Sequence, residues 1–99
     1  MKTYGTVYGL YASDFPLNLR YVGKSVAPLR RLWQHRNGRS STNRTVREWA
    51  QEVKARGAQV HMQFLGEYPV AELARAEGAW FRFWERYCEL LNLWPPASR

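Results

Sequence analysis

Residues 4–25 read YGTVYGLYASDFPLNLRYVGKS, and this stretch decides the fold. Tyr4 to Ala12 is aromatic and β-branched, the composition of a strand. Asp14-Phe15-Pro16-Leu17-Asn18 supplies turn chemistry: Asp and Asn bond their own backbone, and Pro fixes φ. Arg20-Tyr21-Val22 returns as a second strand that Gly23 ends, so the stretch predicts a hairpin. Downstream, Pro28 sits in the first turn of a helix running to about Arg36, with Leu29, Leu32, Trp33 and Arg36 on its inner side. Asn37-Gly38 closes it. A second helix runs from Thr42 or Asn43 to Ala55, where Val46, Trp49, Ala50 and Val53 recur at helical spacing, and Gly57 caps it. Gln59 to Leu65 alternates and predicts a third strand, with Val60, Met62 and Phe64 on one side. Pro69 opens a last helix reaching about Tyr87. The order ββααβα predicts an α+β domain: a small, mainly antiparallel three-stranded sheet flanked by helices. Residues 1–94 form this single domain, and 95–99 are a short tail.

Ninety-nine residues bury a modest core, and five Trp, six Tyr and four Phe must supply much of it. The single cysteine, Cys88, excludes an internal disulfide and a multi-cysteine zinc site. His35 and His61 are far apart, so any working metal is expected to be a hard cation held by oxygen. The N-terminus lacks the apolar core of a signal peptide. No run approaches the roughly 18–20 apolar residues of a membrane span. A reducing cytoplasm is the expected setting.

Net charge is +7, and its placement says more than its size. Residues 20–56 hold ten Lys and Arg against Glu48 and Glu52, a net of +8, while the rest of the chain carries −1. A positive charge confined to one third of a sequence is the footprint of a polyanion binder. The plainer alternative is a solvated surface that keeps the chain soluble.

Three features carry chemistry. In the last helix the apolar stripe runs Val70, Leu73, Ala74, Trp80, Phe81, Trp84, Cys88, Leu91, and Glu77 falls in its middle. A carboxylate there is costly unless it is paired or bound to a cation. It is either a structural partner of an arginine, or a metal ligand or acid/base group at the mouth of a cleft. Arg31 and His35 stand at i and i+4 on one helix face, which alone is ordinary surface. Tyr4, Tyr8, Tyr11 and Tyr21 crowd the hairpin; most suit cross-strand packing, but a phenol near a cation and an arginine can have its pKa lowered toward a useful base.

Gly9-Leu10-Tyr11 followed ten positions later by Tyr21-Val22-Gly23 resembles the paired tripeptides of the GIY-YIG endonuclease family, with Leu and Val for the two isoleucines. Lys24 directly after the glycine, Arg31, His35, Glu77 in the late helix, and Asn92 after Leu90-Leu91 resemble further landmarks, so the likeness spans residues 9–92. It implies a metal-dependent nuclease that hydrolyses DNA phosphodiesters with one Mg²⁺ or Mn²⁺ ion. By that resemblance Glu77 holds the metal, and Tyr11 takes the proton from the attacking water. Tyr21, Lys24 and His35 orient or help deprotonate that phenol or water. Arg31 stabilises charge on the phosphoryl group, and Asn92 buttresses the site.

Two departures stand out. The segment Arg39-Ser40-Ser41-Thr42-Asn43 lacks the polar landmark that many relatives carry. A chain of this length is also expected to lack the separate DNA-binding domain that many relatives attach. Lys24, Arg30, Arg36, Arg39, Arg44 and Arg47 are therefore expected to hold DNA, with salt-sensitive and weakly sequence-selective binding. Cutting both strands from one site implies a homodimer, a larger DNA-processing complex or sequential nicking. The competing readings are a non-catalytic nucleic-acid-binding module on the same fold, and a basic protein with an acidic protein partner.

Overall fold

β1 (Tyr4–Ala12) runs through the middle of an antiparallel sheet of order β2-β1-β3, between β2 (Tyr21–Ser25) and β3 (Val60–Pro69). The computed structural model describes residues 3–37 and 43–92; the expected tail lies outside them. Three helices follow the expected order: α1 (Pro28–Arg36) and α2 (Arg44–Ala55) between β2 and β3, and α3 (Val70–Trp84) after β3. The fold is the α+β arrangement that the pattern predicts.

A central strand is covered on both faces, and β1 is buried without interruption from Gly5 to Leu10. Its alternation divides the core. Tyr8, Leu10 and Ala12 pack with Val46, Trp49, Ala50 and Val53 of α2 and with Val60. Val7 and Val22 pack with Leu73 and Phe81 of α3. The sheet is thus a middle layer, with α2 against one face and α3 against the other.

Local chemistry sets the ends of α2. The Asn43 side chain accepts from Val46 N–H at 3.1 Å as N-cap, and its amide also donates to Leu91 O at 3.0 Å. At the other end Gly57 takes φ +83°, which glycine adopts without a Cβ penalty. The same Leu91 donates its N–H to Arg20 O, so the chain after α3 lies along the edge of β2 and satisfies groups an edge strand would leave open.

Four expectations need correction. β2 does not end at Gly23 but pairs with β1 through Ser25. β3 runs on to Pro69, and the pairing slips between Val7 and Tyr8, which face Gly66 and Phe64. Leu65 is the extra residue of this irregularity, so period-two alternation fails and Phe64 is exposed. α3 stops at Trp84, whose carbonyl receives the N–H groups of Tyr87 and Cys88 in a turn. In α1 the inner face is not Leu29 and Trp33, which are 71% and 54% exposed, but His35 with Leu32 beside it. The helix is rotated because His35 finds a hydrogen-bond partner inside, which apolar spacing does not register.

Candidate active site

Strand alternation divides the candidate residues between the two faces of β2. Tyr21 and Gly23 lie on the side of α1, whereas Val22 and Lys24 lie on the side of α3. β1 adds Tyr8 to the first set, directly opposite Gly23. There Tyr8 Oη and His35 Nε2 are 3.0 Å apart, and the Tyr21 ring lies 6.4 Å from Tyr8 and 5.7 Å from His35. Arg31, one turn before His35, adds its positive charge to all three rings.

On the second side Glu77, 5% exposed between Leu73 and Phe81, receives a hydrogen bond from Lys24 Nζ at 3.1 Å. The partner is therefore a lysine on β2 and not an arginine. Glu77 lies close enough for its charge to raise the pKa of both phenols. Asn92 pins the strand between the two sets: its Nδ2 donates to Val22 O at 2.9 Å and its Oδ1 accepts from Val22 N–H at 3.2 Å.

Tyr11 does not join this cluster. Three residues from Tyr8 along a strand, it projects on the opposite side, where its ring stacks on His61 of β3 at 5.6 Å. The phenol that meets Tyr21 and His35 is Tyr8. Among the residues expected to hold DNA, Arg30 is exposed and Lys24 is engaged with Glu77. Arg36 is tied to Val60 O at 2.7 Å, Arg44 pairs with Glu48 at 2.8 Å, and Arg47 is half-buried. Arg39 lies outside the described residues.

Compared with known protein families, curated proteins and solved structures, the chain matches none.

Burial first, and the Arg31 charge second, push the His35 pKa down to about 4, so the imidazole is neutral at neutral pH. Its Nδ1 is buried and has no hydrogen-bond partner among the described residues. An orphaned N–H is the costlier of the two options, which favours the tautomer with a bare Nδ1 and an Nε2–H donating to Tyr8 Oη. Tyr8 itself is 1% exposed, and burial, with the Tyr21 interaction second, raises its pKa strongly. It is a fixed, neutral phenol. Tyr21 is half-buried, and its hydroxyl makes no hydrogen bond with another described residue. Its pKa is also raised, by burial and then by Glu77, against the opposing pull of Arg31.

Gly23 is the platform for both rings. A Cβ there would stand 2.6 Å from Tyr8 Cζ and Oη and 2.8 Å from Tyr21 Cε2, with stiff aromatic rings in the way. Gly23→Ala is expected to cost about 1–3 kcal/mol of stability, as overpacking does, read from the midpoint of a denaturant melt. An unchanged midpoint would show that the rings are not seated on this glycine.

No three His, Cys, Asp or Glu side chains converge on a metal position among the described residues. The donor set is one buried carboxylate. Burial raises the Glu77 pKa more than the Lys24 contacts lower it, so the ammonium does not fully compensate the desolvated charge. A single under-compensated carboxylate fits a hard divalent cation that keeps most of its waters.

Proposed function

We propose that this chain is a metal-dependent endonuclease that hydrolyses DNA phosphodiester bonds, working as the GIY-YIG resemblance implies but with its tyrosines reassigned. One observation carries the reading: Tyr8, Tyr21, Arg31 and His35 gather on one face of β2 while Lys24 and Glu77 meet on the other. β2 is an edge strand, so a phosphodiester laid against its Gly23–Ser25 end meets groups from both faces.

Tyr21, whose hydroxyl has no hydrogen-bond partner among the described residues, would first release its own proton to solvent, and as the phenolate would then take the proton from the attacking water. Tyr8 and His35 support it from behind: the imidazole fixes Tyr8, and the two rings hold the Tyr21 ring in place. Arg31 makes no salt bridge among the described residues, so its guanidinium is available to the charge that develops on the phosphoryl oxygens. Glu77 would hold one Mg²⁺ or Mn²⁺ ion, with Lys24 moving from the carboxylate to the phosphate. That ion would supply Lewis-acid stabilisation of the leaving oxygen and positive charge that eases deprotonation of the phenol. Exposed Arg30, with the other arginines of residues 20–56, supplies non-specific phosphate attraction. No helix among the described residues is long and apolar enough to cross a membrane, and the free thiol of Cys88 suits a reducing, cytoplasmic setting.

A second reading, a non-catalytic nucleic-acid module, is favoured by the Lys24–Glu77 pair, which leaves the carboxylate already occupied by a cation. One experiment separates the two. Purified chain is incubated with supercoiled plasmid plus Mg²⁺ or Mn²⁺, with and without chelator, beside Glu77→Ala and Arg31→Ala. Hydrolysis predicts metal-dependent nicking lost in both variants, with DNA binding retained. Binding without nicking in the wild type selects the second reading, and equal nicking by all three proteins removes the assignment.

A further inference from the structure

Between the β1–β2 loop and α2 lies a cavity of about 530 Å³, and none of Tyr8, Tyr21, His35 and Glu77 lines it. Its charged lining is Arg20, Glu48, Glu52 and Arg56. Two of these are engaged with groups outside it, Glu48 with Arg44 at 2.8 Å and Arg56 with Asp14 at 2.7 Å. Arg20 and Glu52 share the cavity, yet their side chains make no ion pair or hydrogen bond among the described residues. The backbone holds Arg20 in place: its N–H donates to Leu10 O at 2.8 Å, and its carbonyl accepts from Leu91 N–H at 2.6 Å. Its Nε is buried and has no hydrogen-bond partner among the described residues. A guanidinium kept half-buried without an acceptor is costly. Two such charges, opposite in sign and not in contact, suit a ligand that accepts on one side and donates on the other.

The remaining walls suit a flat ligand. Trp49 is 7% exposed, and Phe15 stands at the rim 59% exposed, with Arg56 over its ring at 5.8 Å. A nucleobase stacks on such rings whatever its edge. The edge then selects the base. Guanine presents two neighbouring acceptors, N7 and O6, and beside them two neighbouring donors, N1–H and the N2 amine. A guanidinium fork matches the first pair, and a carboxylate matches the second. Adenine reverses both, with its amine toward the fork and an acceptor toward the carboxylate. Cytosine and thymine each have a single donor group for a carboxylate that takes two.

We propose that this cavity binds guanine, with Arg20 donating to O6 and N7 and Glu52 accepting from N1–H and the N2 amine. Watson–Crick pairing occupies N1–H, so the base is an unpaired one, from a free nucleotide or from single-stranded DNA. The proposal does not rest on the nuclease reading, since neither Arg31 nor Glu77 lines the cavity.

Isothermal titration of the full chain with GMP, IMP and AMP, in the presence of chelator, tests it. GMP is expected to bind at least about tenfold more tightly than AMP, the scale of one bidentate base contact. IMP, which lacks the N2 amine, is expected to fall between them. Glu52→Gln and Arg20→Gln are each expected to weaken GMP by at least about tenfold, while Glu77→Gln binds it like the wild type. Glu52 is exposed, so its replacement is expected to keep the fold, and circular dichroism checks both variants. Fluorescence anisotropy with a short oligothymidylate, with and without one central dG, separates the sources. A dG preference lost in Glu52→Gln assigns the site to single-stranded DNA, and GMP selectivity without a dG preference assigns it to the free nucleotide. Equal binding of GMP and AMP together with no dG preference overturns the proposal. So does a guanine preference that survives Glu52→Gln.

Discussion

Tyr21→Phe is expected to slow plasmid nicking by about 10²–10⁴-fold, the usual contribution of a positioned proton acceptor. Tyr11→Phe should leave the rate within about threefold, since it removes no group from the reacting centre. The contrast follows from geometry. Tyr21 has its ring against Tyr8 and His35 and its hydroxyl unengaged among the described residues, whereas Tyr11 stacks on His61 on the other side of β1. Tyr8→Phe should fall between them. It deletes the hydroxyl that receives the His35 hydrogen bond but leaves the ring that supports Tyr21, so it loosens the base without removing it. DNA affinity should be the same in all three, because none carries phosphate-binding charge. If Tyr11→Phe were the inactive variant, the reassignment of the phenols would be wrong.

The second large effect is on stability. His35 has its pKa lowered from 6.5 to about 4 by burial and by Arg31. Below pH 6.5 the unfolded chain takes up a proton that the folded chain refuses, so unfolding gains as pH falls. The stability that neutral His35 allows is thus complete above 6.5 and is lost progressively toward pH 4. The loss reaches about 3 kcal/mol, since the pKa falls from 6.5 to about 4 and each pH unit between them is worth 1.36 kcal/mol. Glu77 works in the other direction, since its raised pKa favours the folded state as pH falls through the carboxylate range. The measurement is therefore a difference: denaturant melts of wild type and His35→Gln across pH, the glutamine amide keeping a donor for Tyr8 Oη. The wild type should lose about 3 kcal/mol relative to the variant between pH 6.5 and 4. Parallel curves would mean that His35 is not held neutral by burial.

Much of the fold could be read from particular residues. Val46, Trp49, Ala50 and Val53 are buried as their spacing predicts, because α2 has one wet face and one dry face. Glu77 is buried in the stripe where it stands out in the sequence, and it has the partner that a buried charge requires. The limits of that reading are physical too. β1 is central and covered on both faces, so every residue from Gly5 to Leu10 is inside and alternation could not say which tyrosine faces α1. Tyr8 and Tyr11 have the same composition signal and opposite directions. Local spacing alone places His35 on the helix surface, because its burial depends on a phenol 27 residues away, a contact no local pattern contains. The irregular pairing at Leu65 likewise depends on how two strands meet, and so does the length of β3.

The proposed cation site would give Glu77 a role beyond its ion pair with Lys24. If the carboxylate served only to neutralise Lys24, replacing it with the isosteric amide would affect stability and leave chemistry untouched. If it holds the cation, the amide removes the charge that binds it. The most direct measurement is the Mg²⁺-dependent nicking rate of Glu77→Gln against wild type, with DNA affinity measured in parallel. A loss of more than about 10²-fold in rate at equal DNA affinity is expected; a Glu77→Gln protein that nicks at the wild-type rate would show that this carboxylate holds no catalytic cation.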